Sequence, residues 1–248
     1  MAPRRRLDAE LVRRGLAPSR RDAADLISAG RVTVAGAPAD KPARLVSPAD
    51  ALEVAGDRPR FVSRGGEKLD AALQRFVVPV AGRRALDAGA STGGFTDCLL
   101  QRGASEVIAL DVGHGQLHER IRGDERVVVI ERYNVRNLVV DDIGAPVDLV
   151  VADLSFISLK VVLPALLAAC RPSADLVLLV KPQFEAGRAA VSKGRGVVSD
   201  PAIHAEVRVM IDGALRDLGA DVLGWMESPL HGADGTKEFL VHARAPEG

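Results

Sequence analysis

Apolar residues at helical spacing, then short β-favouring runs, organise the first 54 residues. Leu7, Leu11 and Val12 form one helical stripe that Gly15 ends. Ser19 followed by Asp22 opens a second helix as a capping box with Asp in place of Glu. Ala23, Leu26 and Ile27 form its inner face, and Gly30 closes it. Residues 31–34 (Arg-Val-Thr-Val) predict a strand, 35–38 a turn, and short β pieces follow at Leu45-Val46 and Leu52–Val54. From Gly66 the pattern changes. A helix is predicted over 67–76, then strands over 84–87, 106–111, 126–131, 147–152 and 175–180 with helical stretches between them. That alternation predicts a parallel sheet covered on both faces. Residues 221–227 and 238–243 predict two further strands joined by a loop containing Gly232 and Gly235, an antiparallel edge. The expectation is a Rossmann-like α/β sheet of seven strands behind a small α+β domain. The boundaries are 1–56 for the small domain, 57–63 for a linker around Pro59, and 64–248 for the large domain.

Charge changes this picture more than composition does. The formal net charge is zero, yet residues 1–64 hold 13 Arg/Lys against 8 Asp/Glu, leaving 20 against 25 in the remainder. A basic module ahead of a mildly acidic body suits a polyanionic partner, although a solvated basic face explains the charge alone equally well. Aromatic residues are only 3% of the chain, so the core must be aliphatic. Cys98 and Cys170, both placed in apolar helical stretches, form no metal-ligand or disulfide pattern and suit a reducing cytoplasm. The N-terminus lacks the apolar stretch of a signal peptide, and the most apolar run, 159–170, is too short to span a bilayer. No membrane partner is expected.

The candidate chemistry gathers at predicted strand ends. Residues 87–96 (Asp-Ala-Gly-Ala-Ser-Thr-Gly-Gly-Phe-Thr) follow the first parallel strand and open a helix. Glycines there permit a tight turn and close approach to a ligand. Asp111 ends the next strand, where a carboxylate can accept both ribose hydroxyls of a nucleoside. The glycine order is neither the dinucleotide nor the triphosphate pattern. A sulfonium nucleoside fits better, because Asp87 can face positive charge. Asp153 and Lys181 end the fourth and fifth strands, so they share the rim of that loop. A lysine ending an apolar strand needs a partner, and Asp153 can supply it. Glu238 and Lys68, taken singly, read as surface charges.

The whole chain resembles the TlyA-type, or haemolysin A-like, ribosomal RNA 2′-O-methyltransferases. The stretches that carry the likeness are 62–69 (Val-Ser-Arg-Gly-Gly-Glu-Lys-Leu), 86–96, 111–117 (Asp-Val-Gly-His-Gly-Gln-Leu), 151–158 (Val-Ala-Asp-Leu-Ser-Phe-Ile-Ser) and 180–185 (Val-Lys-Pro-Gln-Phe-Glu). The catalytic part is similar to the FtsJ/RrmJ class, whose Lys-Asp-Lys-Glu tetrad falls on Lys68, Asp153, Lys181 and Glu238. Residues 6–54 resemble the RNA-binding domain of small-subunit ribosomal protein four. The linker departs from the family's Arg-Ala-Trp, and the chain stops soon after its last strand.

The resemblance implies S-adenosylmethionine as cofactor and a cytidine ribose of ribosomal RNA, within ribosomal subunits, as substrate. Asp87, Gly89, Ser91, Gly93, Gly94, Phe95, Asp111 and Asn134 would hold the cofactor. Lys181 would act as general base, since a 2′ hydroxyl must lose its proton to become a nucleophile. Asp153 would orient it, and Glu238 would bridge the two lysines. Arg4, Arg5, Arg6, Arg13, Arg14, Arg20, Arg21 and Arg31 would meet RNA phosphates, by shape rather than by base stacking. The loop 187–200, with Arg188, Lys193 and Arg195, either closes over RNA or is plain surface. Base methylation is the nearest rival, disfavoured because no Asn/Asp-Pro-Pro-aromatic or Pro-Cys motif is present. A pore-forming haemolysin is disfavoured by the lack of apolar spans.

Overall fold

A computed structural model describes residues 4–17, 19–56, 59–186, 198–232 and 235–247. They belong to two compact units, Met1–Ser63 and Arg64–Gly248.

The first unit runs β1 (Arg5–Arg6), α1 (Leu7–Arg13), α2 (Arg20–Ser28), β2 (Val32–Val34), β3 (Ala37–Pro38), β4 (Leu45–Val46) and β5 (Leu52–Val54). Its core joins the helical stripe residues Leu7, Leu11, Ala23 and Ile27 to Val32, Val34 and Val46. The Ser19 hydroxyl accepts the Asp22 N–H at 3.2 Å and so starts α2. The predicted turn over 35–38 is tighter than expected. Ala35 and Gly36 both take left-handed conformations, so Ala37–Pro38 pairs back on β2 as a strand. The β1–β4 pair involves two residues from each strand, too few to leave a period in the sequence.

The second unit runs α3 (Gly65–Phe76), β6 (Arg84–Ala88), α4 (Gly94–Gln101), β7 (Glu106–Leu110), α5 (Glu119–Arg122), β8 (Val127–Ile130), α6 (Val140–Ile143), β9 (Val147–Ala152), α7 (Leu159–Ala168), β10 (Cys170–Val180), α8 (Pro182–Glu185), α9 (Pro201–Asp217), β11 (Asp221–Glu227) and β12 (Phe239–Arg244). Seven strands form one sheet in the order β11-β12-β10-β9-β6-β7-β8. Pairings from β10 to β8 are parallel, and β12 runs antiparallel to both β10 and β11. Strand residues such as Leu86, Val150 and Leu178 pack on Val162 and Leu166 of α7 and Ile211 and Leu215 of α9. Helices α3 and α4 pack on each other and on strands of the sheet.

Two expectations are corrected. Cys170 is not helical: it is the first residue of β10, five residues earlier than predicted. Its register with β9 shifts between Cys170 and Asp175, and Pro172 and Ser173 in that irregularity hide the strand's start. The third parallel strand is also shorter, Val127–Ile130.

The order matters for the site. Strand β6 lies between β7 and β9, so the chain leaves it in opposite directions across the sheet, and the carboxyl ends at this crevice are where α/β sheets bind ligands.

Helix α3 ends on Val77, a β-branched residue at φ 57°, 82% exposed. A side chain there is strained and buries nothing. Val77→Gly is expected to raise stability by about 1 kcal/mol, read as a thermal midpoint a few degrees higher.

Candidate active site

Four neighbouring strands end on one rim, and each hands over to a residue with chemistry. After β6, the Gly89 and Ala90 N–H groups both donate to the Leu110 carbonyl, at 2.8 and 3.1 Å, which folds the loop over the end of β7. Gly89 has φ +86°, and a Cβ there would lie 2.7 Å from the Asp153 carbonyl oxygen. Only glycine lets this loop pass the end of β9. The Asp111 carboxylate accepts the Ser91 N–H at 2.8 Å and the Gly113 N–H at 2.6 Å. Each oxygen retains a further lone pair for a ligand hydroxyl.

A cavity of about 520 Å³ is lined by this loop, the segment after β7, residues 133–136 and residues 153–157. Of the residues expected to hold a nucleoside, Gly89, Ser91, Asp111 and Asn134 line it. Asp87, Gly93, Gly94 and Phe95 are instead buried behind the loop. Gly93, at φ 94°, turns the chain into α4.

Asp87 is fully buried. One carboxylate oxygen accepts the Thr96 hydroxyl at 2.6 Å, and the other has no hydrogen-bond partner. Burial pushes its carboxyl up to about 7, the Thr96 hydroxyl opposes this, and the carboxylates of Asp153 and Asp111 add to it. Asp87 thus lies under the loop with one carboxylate oxygen engaged by Thr96 and the other unpaired.

The four charged residues of the tetrad converge. Lys181 Nζ lies 2.6 Å from Asp153 Oδ1, and Lys68 Nζ lies 2.5 Å from Glu238 Oε2. The antiparallel register pairs Val180 with Phe239, and its continuation sets Lys181 opposite Glu238. Helix α3 brings Lys68 to that point from the other end of the sequence. The result is two ion pairs. Among the described residues Glu238 forms no ion pair with Lys181, so the expected bridge between the lysines is a single Lys68 contact. The side chains of both lysines are 11% exposed. Gly232 closes over Glu238: a Cβ there would lie 2.2 Å from Oε1.

Sequence reasoning missed several cavity residues: Val112, Gln116, Tyr133, Arg136, Ser155 and Phe156. They follow strand ends, which is the one signal that could have found them. Phe156 stands out, being 91% exposed at φ 64° with its ring 5.2 Å from that of Phe184.

In the first unit, two buried acids of α1 hold the arginines. Asp8 receives Arg6 at 3.0 Å and Arg20 at 2.9 Å, while Glu10 receives Arg13 at 2.6 Å and Arg14 at 2.8 Å. The Arg6 guanidinium holds Asp8 down at about 2, and Arg13 does the same for Glu10. Arg14 also reaches the Asp50 carbonyl and Arg31 the Ala55 carbonyl, both at 2.7 Å. Arg4 and Arg5 are exposed, and the side chain of Arg21 lies outside the description. Of the loop 187–200, residues 187–197, with Arg188, Lys193 and Arg195, lie outside the described residues.

Comparison with known proteins agrees with both units. The FtsJ-like methyltransferase model matches residues 61–245, and the S4 domain model matches residues 5–52. The chain is 55% identical over 245 residues to the 16S/23S rRNA (cytidine-2′-O)-methyltransferase TlyA of Mycobacterium tuberculosis, covering 98% of this chain and 91% of that one. It is 39% identical to the protein named Hemolysin A of Brachyspira hyodysenteriae, covering 96% and 98%. A solved Streptococcus thermophilus structure that carries the hemolysin name superposes with a TM-score of 0.80 at 38% identity, covering 100% of this chain and 92% of that one.

The raised Asp87 carboxyl has a pH consequence. The unfolded chain loses this proton near 3.8, and the folded chain keeps it to about 7. The contribution of Asp87 to stability therefore declines as pH rises through that window and flattens above it. In Asp87→Asn the decline between pH 4 and 7 is expected to be shallower than in wild type, measured by denaturant titration across that range.

Proposed function

The chain belongs to the FtsJ-like methyltransferase family, and from that premise we propose that it transfers the methyl group of S-adenosylmethionine to the 2′ hydroxyl of a cytidine ribose in ribosomal RNA. The observation that carries this reading is the pair of lysine–carboxylate contacts set together by the β10–β12 register, beside a cavity that Asp153 itself lines. The name of the 55% identical relative supports the ribose and the cytidine.

The residues fit the cofactor. The cavity is of ligand size. Gly89 leaves an approach that a Cβ would fill, and the Asp111 carboxylate has capacity for the two ribose hydroxyls. Gly89, Ser91 and Asp111 would hold the nucleoside, and Asn134 with Tyr133 would flank its base. Asp87, Gly93, Gly94 and Phe95 support the loop from behind. When bound, S-adenosylmethionine supplies an electrophilic methyl group.

The chain's own residues handle the proton. Lys181 accepts it from the 2′ hydroxyl through an unprotonated amine. Asp153 orients it from 2.6 Å. Glu238 neutralises Lys68 and fixes it over the rim. Phe156 offers its exposed ring as a platform for the target base beside Lys181.

The S4 unit holds the RNA. Arg6, Arg13, Arg14 and Arg20, fixed on Asp8 and Glu10, present their remaining N–H donors to phosphates, joined by Arg4, Arg5, Arg21 and Arg31. A ribosomal substrate places the enzyme in the cytoplasm. One chain supplies all four tetrad residues. Among the described residues, no helix is long and apolar enough to cross a membrane.

Methylation of separated ribosomal subunits, with the product mapped by mass spectrometry, tests the reaction. Wild type is expected to place one methyl on a cytidine ribose. Lys181→Ala should lower the rate by about 10²- to 10⁴-fold while keeping cofactor affinity. A methyl found on a base would refute the proposal.

Loss of the exposed ring is a separate test. Phe156→Ala should weaken productive RNA binding by about 1–3 kcal/mol, seen in kcat/KM for the subunit, with S-adenosylmethionine affinity unchanged.

A further inference from the structure

Among the described residues Lys181 has two polar partners, and only one belongs to the tetrad. Its Nζ lies 2.6 Å from Asp153 Oδ1 and donates to the Ser155 hydroxyl oxygen at 2.9 Å. Ser155 lies two residues after Asp153 in the segment that lines the cavity, and its side chain is exposed rather than packed. We propose that Ser155 is a positioning residue for methyl transfer: it holds one N–H of the Lys181 amine while Asp153 holds the other, leaving the nitrogen lone pair for the substrate hydroxyl. This rests on the reading of Lys181 as the base.

An unprotonated primary amine has two N–H bonds and one lone pair around nitrogen. With a single acceptor, rotation about Cε–Nζ sweeps the lone pair through space. With two acceptors in different directions, both N–H bonds are committed and the third direction is fixed. Proton transfer then breaks the substrate O–H, forms the third N–H on Lys181, and leaves the electron pair on oxygen as the nucleophile. Among the described residues no other group does this job. Glu238, opposite Lys181 in the register, is engaged by Lys68, and the Phe184 ring centroid is 5.9 Å from Nζ.

The backbone is built to hold the two acceptors in place. The Asp153 N–H donates to the Ala88 carbonyl at 3.1 Å, which pins the start of the segment to β6. Its far end is tied to the lysine's own helix. Glu185 of α8 accepts the Ser158 hydroxyl at 2.5 Å and the Leu159 N–H at 2.8 Å. Between these anchors Phe156 takes its left-handed conformation immediately after Ser155. The short stretch is thus clamped to the elements that carry Asp153 and Lys181.

The test is single-turnover methyl transfer to isolated ribosomal subunits by the full chain, with cofactor and subunit affinities measured on the same variants. Ser155→Ala is expected to slow the transfer step by about 10- to 100-fold with both affinities unchanged. Ser155→Thr, which keeps the hydroxyl, should stay within a few-fold of wild type. Full rate in Ser155→Ala, a loss confined to affinity, or equal losses in the Ala and Thr variants would each overturn the role. Lys181→Ala separates the two claims. If it stays active, the base assignment fails and this inference with it. If it is inactive while Ser155→Ala runs at full rate, only the serine's role is lost.

Discussion

Two lysine side chains are taken almost out of water at the end of an apolar sheet, and that cost dictates the rest of the catalytic unit. An ammonium in such a place needs a carboxylate within contact. Asp153 reaches Lys181 from the adjacent parallel strand β9. Glu238 reaches Lys68 only because β12 inserts antiparallel beside β10, so the departure from an all-parallel sheet is what completes the site. The Lys68–Glu238 contact joins residues 170 apart in sequence. It ties the first helix of the unit to its last strand. One ion pair therefore spans the fold, and loosening either residue removes a partner from a buried charge.

The glycine loop shows the opposite balance, where function is held at a cost to stability. Asp87 lies under the loop with one carboxylate oxygen unpaired, and burial keeps its proton on to about 7. A buried apolar residue would suit the interior better. The acid is retained where the Thr96 hydroxyl can anchor the start of α4 and where the loop turns at Gly89 and Gly93. The strain and the polar deficit both sit within a few residues of the cavity and are absorbed by the surrounding aliphatic strands.

Much of this was legible because the physical signals are periodic. Apolar runs of four or five residues before Asp111, Asp153 and Lys181, and a shorter one before Asp87, locate the strand ends, and strand ends in a parallel sheet form one rim. The sequence therefore places three of those four beside the cavity. Lys68 and Glu238 are different. Nothing local distinguishes them from surface charges; only the family resemblance marks them, and only the tertiary fold pairs them. Cys170 was misplaced because Pro172 and Ser173 interrupt the period at an irregularity in β10. Ser155 and Phe156 were missed because a short loop has no period, and the left-handed conformation of Phe156 is disfavoured by its residue type.

The two units solve their tasks with one device, a buried or half-buried carboxylate holding a cation at the surface of action. In the S4 unit Asp8 and Glu10 fix four guanidinium groups. Ordering a long side chain before the partner arrives lowers the entropy lost on binding. Arginine suits that task because it stays charged and has donors to spare after one carboxylate is satisfied. On the proposed reading of Lys181 as the base, the cation there must be able to give up its proton, which arginine cannot do. The Asp153 contact then orients the amine from one side. A second acceptor that is neutral, the Ser155 hydroxyl, adds no further negative charge beside the amine, and this is what the proposed positioning role asks of that side chain.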